Sequence, residues 1–216
     1  MTWLAFRQHR VRMVTMALIV ALWAGLAAVE HGFPGLRGIS AGLFPYIPLV
    51  LGVFLGAPLV SREFERGTHQ LAWTQSITRS RWFLPQTLVA LALAVLTTAG
   101  TSALAWWSLG GLPWKREVND TLYVLTGALP YAWAVFAVAI GVAWSAITRR
   151  TTVAMGASFF GVAATQLIAE GLRNRADREL DWPLTALQSA EAGVLTALAA
   201  LLGVAAWWCT TRRDPA

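Results

Sequence analysis

A single carboxylate, Glu191, interrupts an otherwise uncharged run from Leu184 to Trp208, and Gln188 precedes it by one helical turn. An acid inside a bilayer costs about 2.5–3.5 kcal/mol on insertion scales, so it faces a bundle interior, a partner or a water-filled path. Eight residues into a helix rising 1.5 Å per residue, Glu191 lies roughly 12 Å deep. The spacing of three puts Gln188 and Glu191 on one helix face. Two readings stand: a polar lining to a substrate path or subunit interface, or a hydrogen-bonded clasp between helices.

Other chemistry fails for want of residues. A phosphate-binding P-loop needs Gly-Lys-Ser/Thr, and the sole lysine, Lys115, follows Trp114. The zinc-protease motif His-Glu-x-x-His is absent, because His9, His31 and His69 are followed by Arg10, Gly32 and Gln70. Gly156-Ala157-Ser158-Phe159 has the Gly-x-Ser-x form of an intramembrane serine protease. No histidine lies in any apolar run to activate Ser158, which reads instead as a small residue at a helix contact. Cys209 is the only cysteine, so the chain can form neither an internal disulfide nor a thiolate metal cluster. No catalytic, metal or cofactor site is expected in this chain.

The elements that must position Glu191 are membrane helices. The 216 residues are 56% hydrophobic and 13% charged, with a mean hydropathy of +0.55. Soluble domains carry about 25% charged residues. A soluble domain, a disordered chain, a coiled coil and a disulfide scaffold are thereby excluded. A hydrocarbon core of about 30 Å needs about 20 apolar residues per crossing. Six such runs occur, at Met13–Val29, Leu43–Val60, Phe83–Leu109, Leu122–Ile147, Thr152–Ala169 and Leu184–Trp208. Span two holds Pro45, Pro48 and Pro58 and span four holds Pro130, where kinks are expected. A secretory signal is disfavoured for the first run by its length and by the spans that follow. The chain reads as one transmembrane domain, residues 1–216.

Lysine and arginine in short loops set orientation. Placing both termini on one side gives that side Arg7, Arg10, Arg12, Arg62, Arg66, Arg79, Arg81, Arg149, Arg150, Arg212 and Arg213. The other side keeps six of the seventeen basic residues, beside Glu30, Glu117, Asp120, Glu170, Asp177, Glu179 and Asp181. Both termini are therefore expected in the cytoplasm of a plasma-membrane protein. The net charge of +6 is a topology signal, with no nucleic-acid partner implied. Trp82, Trp106, Trp107, Trp144, Trp182, Trp207 and Trp208 fall near span ends, where indoles favour the headgroup zone. Gly52-x-x-x-Gly56 in span two and Ala157 with Gly161 in span five permit close helix approach, and Thr165 and Gln166 read as interhelical hydrogen-bonding groups.

One connection is too long to be only a connection. Bundle helices are joined by about 2–8 residues; Ser61 to Trp82 exceeds this and mixes Arg62, Glu63, Glu65, Arg66, Arg79 and Arg81 with Phe64, Leu71 and Trp73. Ser61 can cap a short helix through Arg66, Gly67 suits its left-handed end, and Thr68 can cap the next turn. The segment reads either as an interfacial loop packed on its own bundle or as a docking surface for a cytoplasmic partner. Before span one, Trp3, Leu4 and Phe6 precede Arg7, His9 and Arg10, the pattern of an interfacial elbow helix or of a plain positive-inside anchor.

The stretch Gly56-Ala-Pro-Leu-Val-Ser-Arg-Glu-Phe-Glu-Arg-Gly-Thr68, followed by Leu71-Ala-Trp-Thr-Gln-Ser76 and Arg81-Trp82, resembles the Glu-containing Gly-Thr segment of type-2 permease subunits of ABC transporters, particularly short actinobacterial ones. Phe6-Arg-Gln-His-Arg10 extends the resemblance, and Trp182-Pro183 with Gln188 and Glu191 departs from it more. It implies an all-α integral membrane protein of six transmembrane helices, an N-terminal elbow helix over residues 1–12 and a cytoplasmic coupling helix between spans two and three, within 61–82. It further implies a second permease copy or paralogue and a separate ATP-binding-cassette ATPase, which holds the ATP and Mg. Glu63, Glu65, Arg66, Gly67, Thr68, Leu71, Trp73, Arg79 and Arg81 would meet that ATPase, and spans two and three would carry its movement. Substrate would pass between subunits along spans two and five. The rival reading is a non-transport membrane protein, an immunity or sensor subunit that binds a cytoplasmic regulator through the same segment.

Overall fold

In the computed structural model, residues 2–65, 79–110, 123–179 and 183–212 are described, with side chains over 10–65, 83–110, 123–176 and 183–211. The described residues are helical with no strand, and six helices are long and apolar enough to cross a membrane. The protein is an all-α integral membrane protein of six spans.

Span one belongs to one unbroken helix, Thr2–Gly32, that passes through residue 12 without a break. The expected elbow residues Arg7 and His9 have side chains outside the described set, and Arg10 is exposed. Spans three, four, five and six are the helices Arg79–Leu109, Leu129–Thr148, Thr151–Glu179 and Leu184–Arg212; span four begins at Leu129 rather than Leu122, with Pro130 in its first turn, where its missing N–H costs nothing, instead of kinking the helix. Span five runs some ten residues past its apolar stretch, so Glu170, Arg173 and Arg175 lie on helix rather than in the loop the charge count placed them in.

Span two is irregular, as its prolines predict. A 3₁₀ turn at Pro34–Leu36 leads into short helices at Ile39–Leu43 and Ile47–Leu51 with a second 3₁₀ turn, Phe44–Tyr46, between them. A π-helical segment follows at Gly52–Gly56, and Ser61–Glu65 closes the described part. Such breaks persist in lipid only where neighbours satisfy the freed backbone groups. Gln166 of span five does so, donating through Nε2 to the Pro45 carbonyl at 2.6 Å. The residue three on from Pro45 is Pro48, which has no N–H to offer. Thr165 bonds its own helix instead, to the Gly161 carbonyl.

Spans two and four form the centre, with 61% and 67% of their apolar windows buried against 17–33% for the other four. Gly52, Gly56 and Gly141 explain the contact. A Cβ on Gly141 would sit 2.5 Å from the Gly52 carbonyl oxygen, and one on Gly56 would sit 2.6 Å from the Val138 carbonyl oxygen. Only hydrogen fits there, so the Gly52-x-x-x-Gly56 pattern is a backbone-to-backbone contact with span four. Leu51, Leu55, Leu59, Val138 and Val142 fill the core around it. Span five packs on this pair through Val162, while Val153, Phe160, Leu167, Ile168 and Leu172 face outward. Ser158 is buried and donates to the Ala154 carbonyl of its own helix, the small contact residue expected.

Glu30 corrects the charge count. It was assigned to a loop, but span one reaches Gly32 and Glu30 is fully buried. Its carboxylate accepts the N–H groups of Gly38 and Ser40 and the Ser40 hydroxyl. Ser108 Oγ of span three lies 2.9 Å from Ser40 Oγ. The acid thus caps the helix at Ile39–Leu43, whose first N–H groups would otherwise point into lipid.

Candidate functional site: two polar joints on span five

The first joint surrounds Glu191. Its Oε2 accepts the Tyr123 hydroxyl at 3.0 Å and its Oε1 accepts the Trp133 indole N–H at 3.1 Å. Arg173, at the far end of span five, approaches Oε2 to 3.5 Å through Nε and lays its guanidinium 4.9 Å from the centre of the Tyr123 ring. Gln188 donates through Nε2 to the Tyr123 carbonyl at 2.7 Å and to Thr126 Oγ1 at 3.1 Å. Gln188 and Glu191 therefore both hydrogen-bond across to other parts of the bundle from one face of span six. The joint ties span six to spans four and five and to the turn before span four.

Tyr123, Trp133 and Arg173 were not singled out in the sequence. A carboxylate at that depth demands donors, and the nearest cation to the end of span five is Arg173; that was the legible signal. Beside the joint, a cavity of about 360 Å³ opens between spans three and four, lined among others by Ser102, Trp106, Thr126 and Tyr131.

The second joint lies at the end of the bundle that carries the termini. Ser145 Oγ of span four accepts the N–H groups of Val60 and Ser61 at 3.1 and 2.7 Å. These donors begin the helix Ser61–Glu65, so its cap comes from span four and not from Ser61. The Ser61 hydroxyl donates to the Ala57 carbonyl and meets Thr151 Oγ1 at 3.1 Å. Glu65 grips the first residue of span five with both oxygens, accepting the Thr151 N–H and the Thr151 hydroxyl at 2.7 Å each. Arg149, left-handed at φ 54°, ends span four and holds its guanidinium 4.9 Å from the Phe64 ring centre. Glu63 is within electrostatic reach of Arg12 of span one.

Of the residues expected to meet a partner, Glu63 and Glu65 are therefore placed beside spans one and five. Arg66, Gly67, Thr68, Leu71 and Trp73 lie outside the described residues, as do the side chains of Arg79 and Arg81, whose backbone opens span three. Ser145 and Thr151 were missed because a serine and a threonine at span ends carry no signal of their own. Among the described residues, no group of His, Cys, Asp and Glu is arranged to hold a metal.

Six spans tied together by two polar joints define a multi-pass membrane protein. Residues 27–173 match the family described as ABC-2 membrane transporter related, about two thirds of the chain, and the chain belongs to that family. The match covers the segment at 61–82 and the Glu65–Thr151 and Ser145 contacts of the second joint, and it stops at Arg173, short of Gln188 and Glu191. No curated protein and no solved structure matches the chain. The chain is accordingly an ABC-2 type permease, the membrane subunit of an ABC transporter.

Proposed function

We propose that the chain is the non-catalytic half of an ATP-driven exporter in the plasma membrane, with both termini in the cytoplasm. A separate ATP-binding-cassette ATPase holds the ATP and Mg, docks on the segment 61–82, and works on a pair of permeases formed with a second copy or a paralogue. Substrate moves between the two permeases along spans two and five. The observation that supports this reading best is the family match running through 61–82, a basic, partly apolar stretch of a chain that lacks a P-loop of its own. A surface that borrows an engine has to be anchored to the bundle, and Ser61–Glu65 is anchored at both Ser145 and Thr151.

Pull-down of the tagged permease from native membranes tests the reading. An ATP-binding-cassette ATPase is expected in the eluate, and Gly67→Pro with Trp73→Ala is expected to release it while the permease stays folded in the membrane. Recovery of a kinase or a toxin in place of an ATPase would overturn transport in favour of a regulator-binding protein.

A further inference from the structure

The route by which the docking segment reaches the bundle is written in the second joint. The segment leaves span two at Ser61 and has one described helical turn before residue 66. That turn is fastened sideways, to span four through Ser145 and to span five through Thr151. Spans four and five are separated by only Arg149 and Arg150, and Arg149 is itself held against Phe64. Ser61–Glu65 is thus tied directly to the first residue of span five.

A carboxylate that accepts both the N–H and the hydroxyl of an N-terminal helix residue defines a direction as well as a contact. Each bond is short and charge-assisted, the two together fix the carboxylate plane, and the negative charge lies at the positive end of a helix of 29 residues. A displacement of Glu65 then displaces Thr151, because moving one without the other breaks two hydrogen bonds at once.

We infer that Glu65 is the positioning residue that delivers the ATPase stroke to span five. This rests on the proposed function, since it requires an ATPase on 61–82. Glu65 then serves as an internal link and the ATPase grips the residues beyond it. Coupling is physical only where a two-state element is biased by the partner; span five is that element, tied to the docking segment at Thr151.

The test uses the permease–ATPase complex in nanodiscs on a Cys209→Ser background. Spin-label pairs at Leu172→Cys with Val194→Cys and at Leu88→Cys with Val194→Cys read span five and span three against span six; all three native residues are exposed. Distances are compared without nucleotide and with ATP plus vanadate. In Glu65→Ala the complex is expected to persist, the nucleotide-driven shift of the 172–194 pair to vanish, and that of the 88–194 pair to remain. Glu65→Gln, which keeps one acceptor oxygen, and Thr151→Val, which keeps the backbone N–H, are expected to retain part of the span-five shift. A purely structural role would lower thermal stability and scale both pairs alike, which overturns the inference. A wild-type 172–194 shift in Glu65→Ala also overturns it. If the unsubstituted permease captures no ATPase, the proposed function itself falls, an outcome distinct from an intact complex with an unaltered span-five shift.

Discussion

Replacing Glu191 by alanine removes the acceptor of two donors at once, the Tyr123 hydroxyl and the Trp133 indole N–H. Trp133 is 3% exposed and Tyr123 7%, so water does not readily take the carboxylate's place. Stranding a buried donor costs about 1–3 kcal/mol in water-soluble proteins. Inside membranes, measured interhelical hydrogen bonds average nearer 0.6 kcal/mol with a maximum of about 1.7, because the separated helices also find partners. Two bonds therefore bound the loss at about 1–3.5 kcal/mol. The Arg173 contact is a long one, its Nε standing 3.5 Å from Oε2, and is left out of this bound. Glu191→Gln keeps one carbonyl oxygen for one of the two donors and is expected to lose about half as much.

The assay is reversible unfolding in mixed micelles, followed by the far-ultraviolet circular dichroism of the helices, on wild type, Glu191→Ala, Glu191→Gln, Tyr123→Phe and the double variant Glu191→Ala/Tyr123→Phe. Tyr123→Phe takes away the donor along with its need and leaves Trp133 bonded, so it is expected to cost under about 1 kcal/mol. The double variant is expected to be less destabilised than the sum of the singles, because after Glu191 is gone the phenol hydroxyl is only a liability. Additive losses, or a Glu191→Ala protein as stable as wild type, would refute the clasp and return Glu191 to the role of a path-lining charge.

The close approach of spans two and four predicts that Gly141→Ala, whose methyl would meet the Gly52 carbonyl oxygen, destabilises by about 1–3 kcal/mol. Gly156→Ala in span five, where nothing lies within 4 Å, should be neutral or slightly stabilising in the same unfolding assay. Glu30→Ala leaves the Gly38 and Ser40 N–H groups without their acceptor and is expected to cost about 1–3 kcal/mol; amide hydrogen exchange at residues 38–42 should accelerate while spans four and six keep their protection. Gln166→Leu deprives the Pro45 carbonyl of its donor at about 0.5–1.7 kcal/mol, and limited proteolysis near Phe44–Tyr46 is the readout.

Apolar runs made the six spans legible, because lipid leaves a chain few alternatives to helix. The breaks in span two were legible from Pro45, Pro48 and Pro58, and the glycine contact from Gly52 and Gly56. What the sequence withheld was pairing. Glu191 announced a buried acid, yet nothing in its neighbourhood named Tyr123, 68 residues away, or Trp133, 58 residues away. Glu30 was misplaced for a related reason: it follows an apolar run, and run-end carboxylates normally reach water, whereas this one is turned inward by the Gly38–Ser40 backbone. Ser145 is silent in sequence because a lone hydroxyl on a membrane helix usually bonds its own preceding turn, as Ser158 and Thr165 do here.

The two joints share one helix. Thr151, the first residue of span five, is held by Glu65, and Arg173, twenty-two positions on, approaches Glu191. At 1.5 Å per residue the anchors are about 33 Å apart, the thickness of a hydrocarbon core. Between them the helix touches spans two and four through Gln166, Val162 and Gly161, and its other face carries Phe160, Leu167 and Ile168 outward. A straight helix held at both ends and loose along one side responds to a push at one end by moving at the other, since bending it would break backbone hydrogen bonds that lipid cannot replace. The joint at Thr151 is made of two short charge-assisted bonds at the exposed end of the bundle. The joint at Arg173 combines a 3.5 Å contact to a carboxylate that already has two other donors with a guanidinium 4.9 Å from the Tyr123 ring centre. If span five is driven at Thr151 as inferred, the Arg173–Glu191 contact is expected to yield before the Tyr123 and Trp133 bonds, leaving Glu191 still satisfied by both.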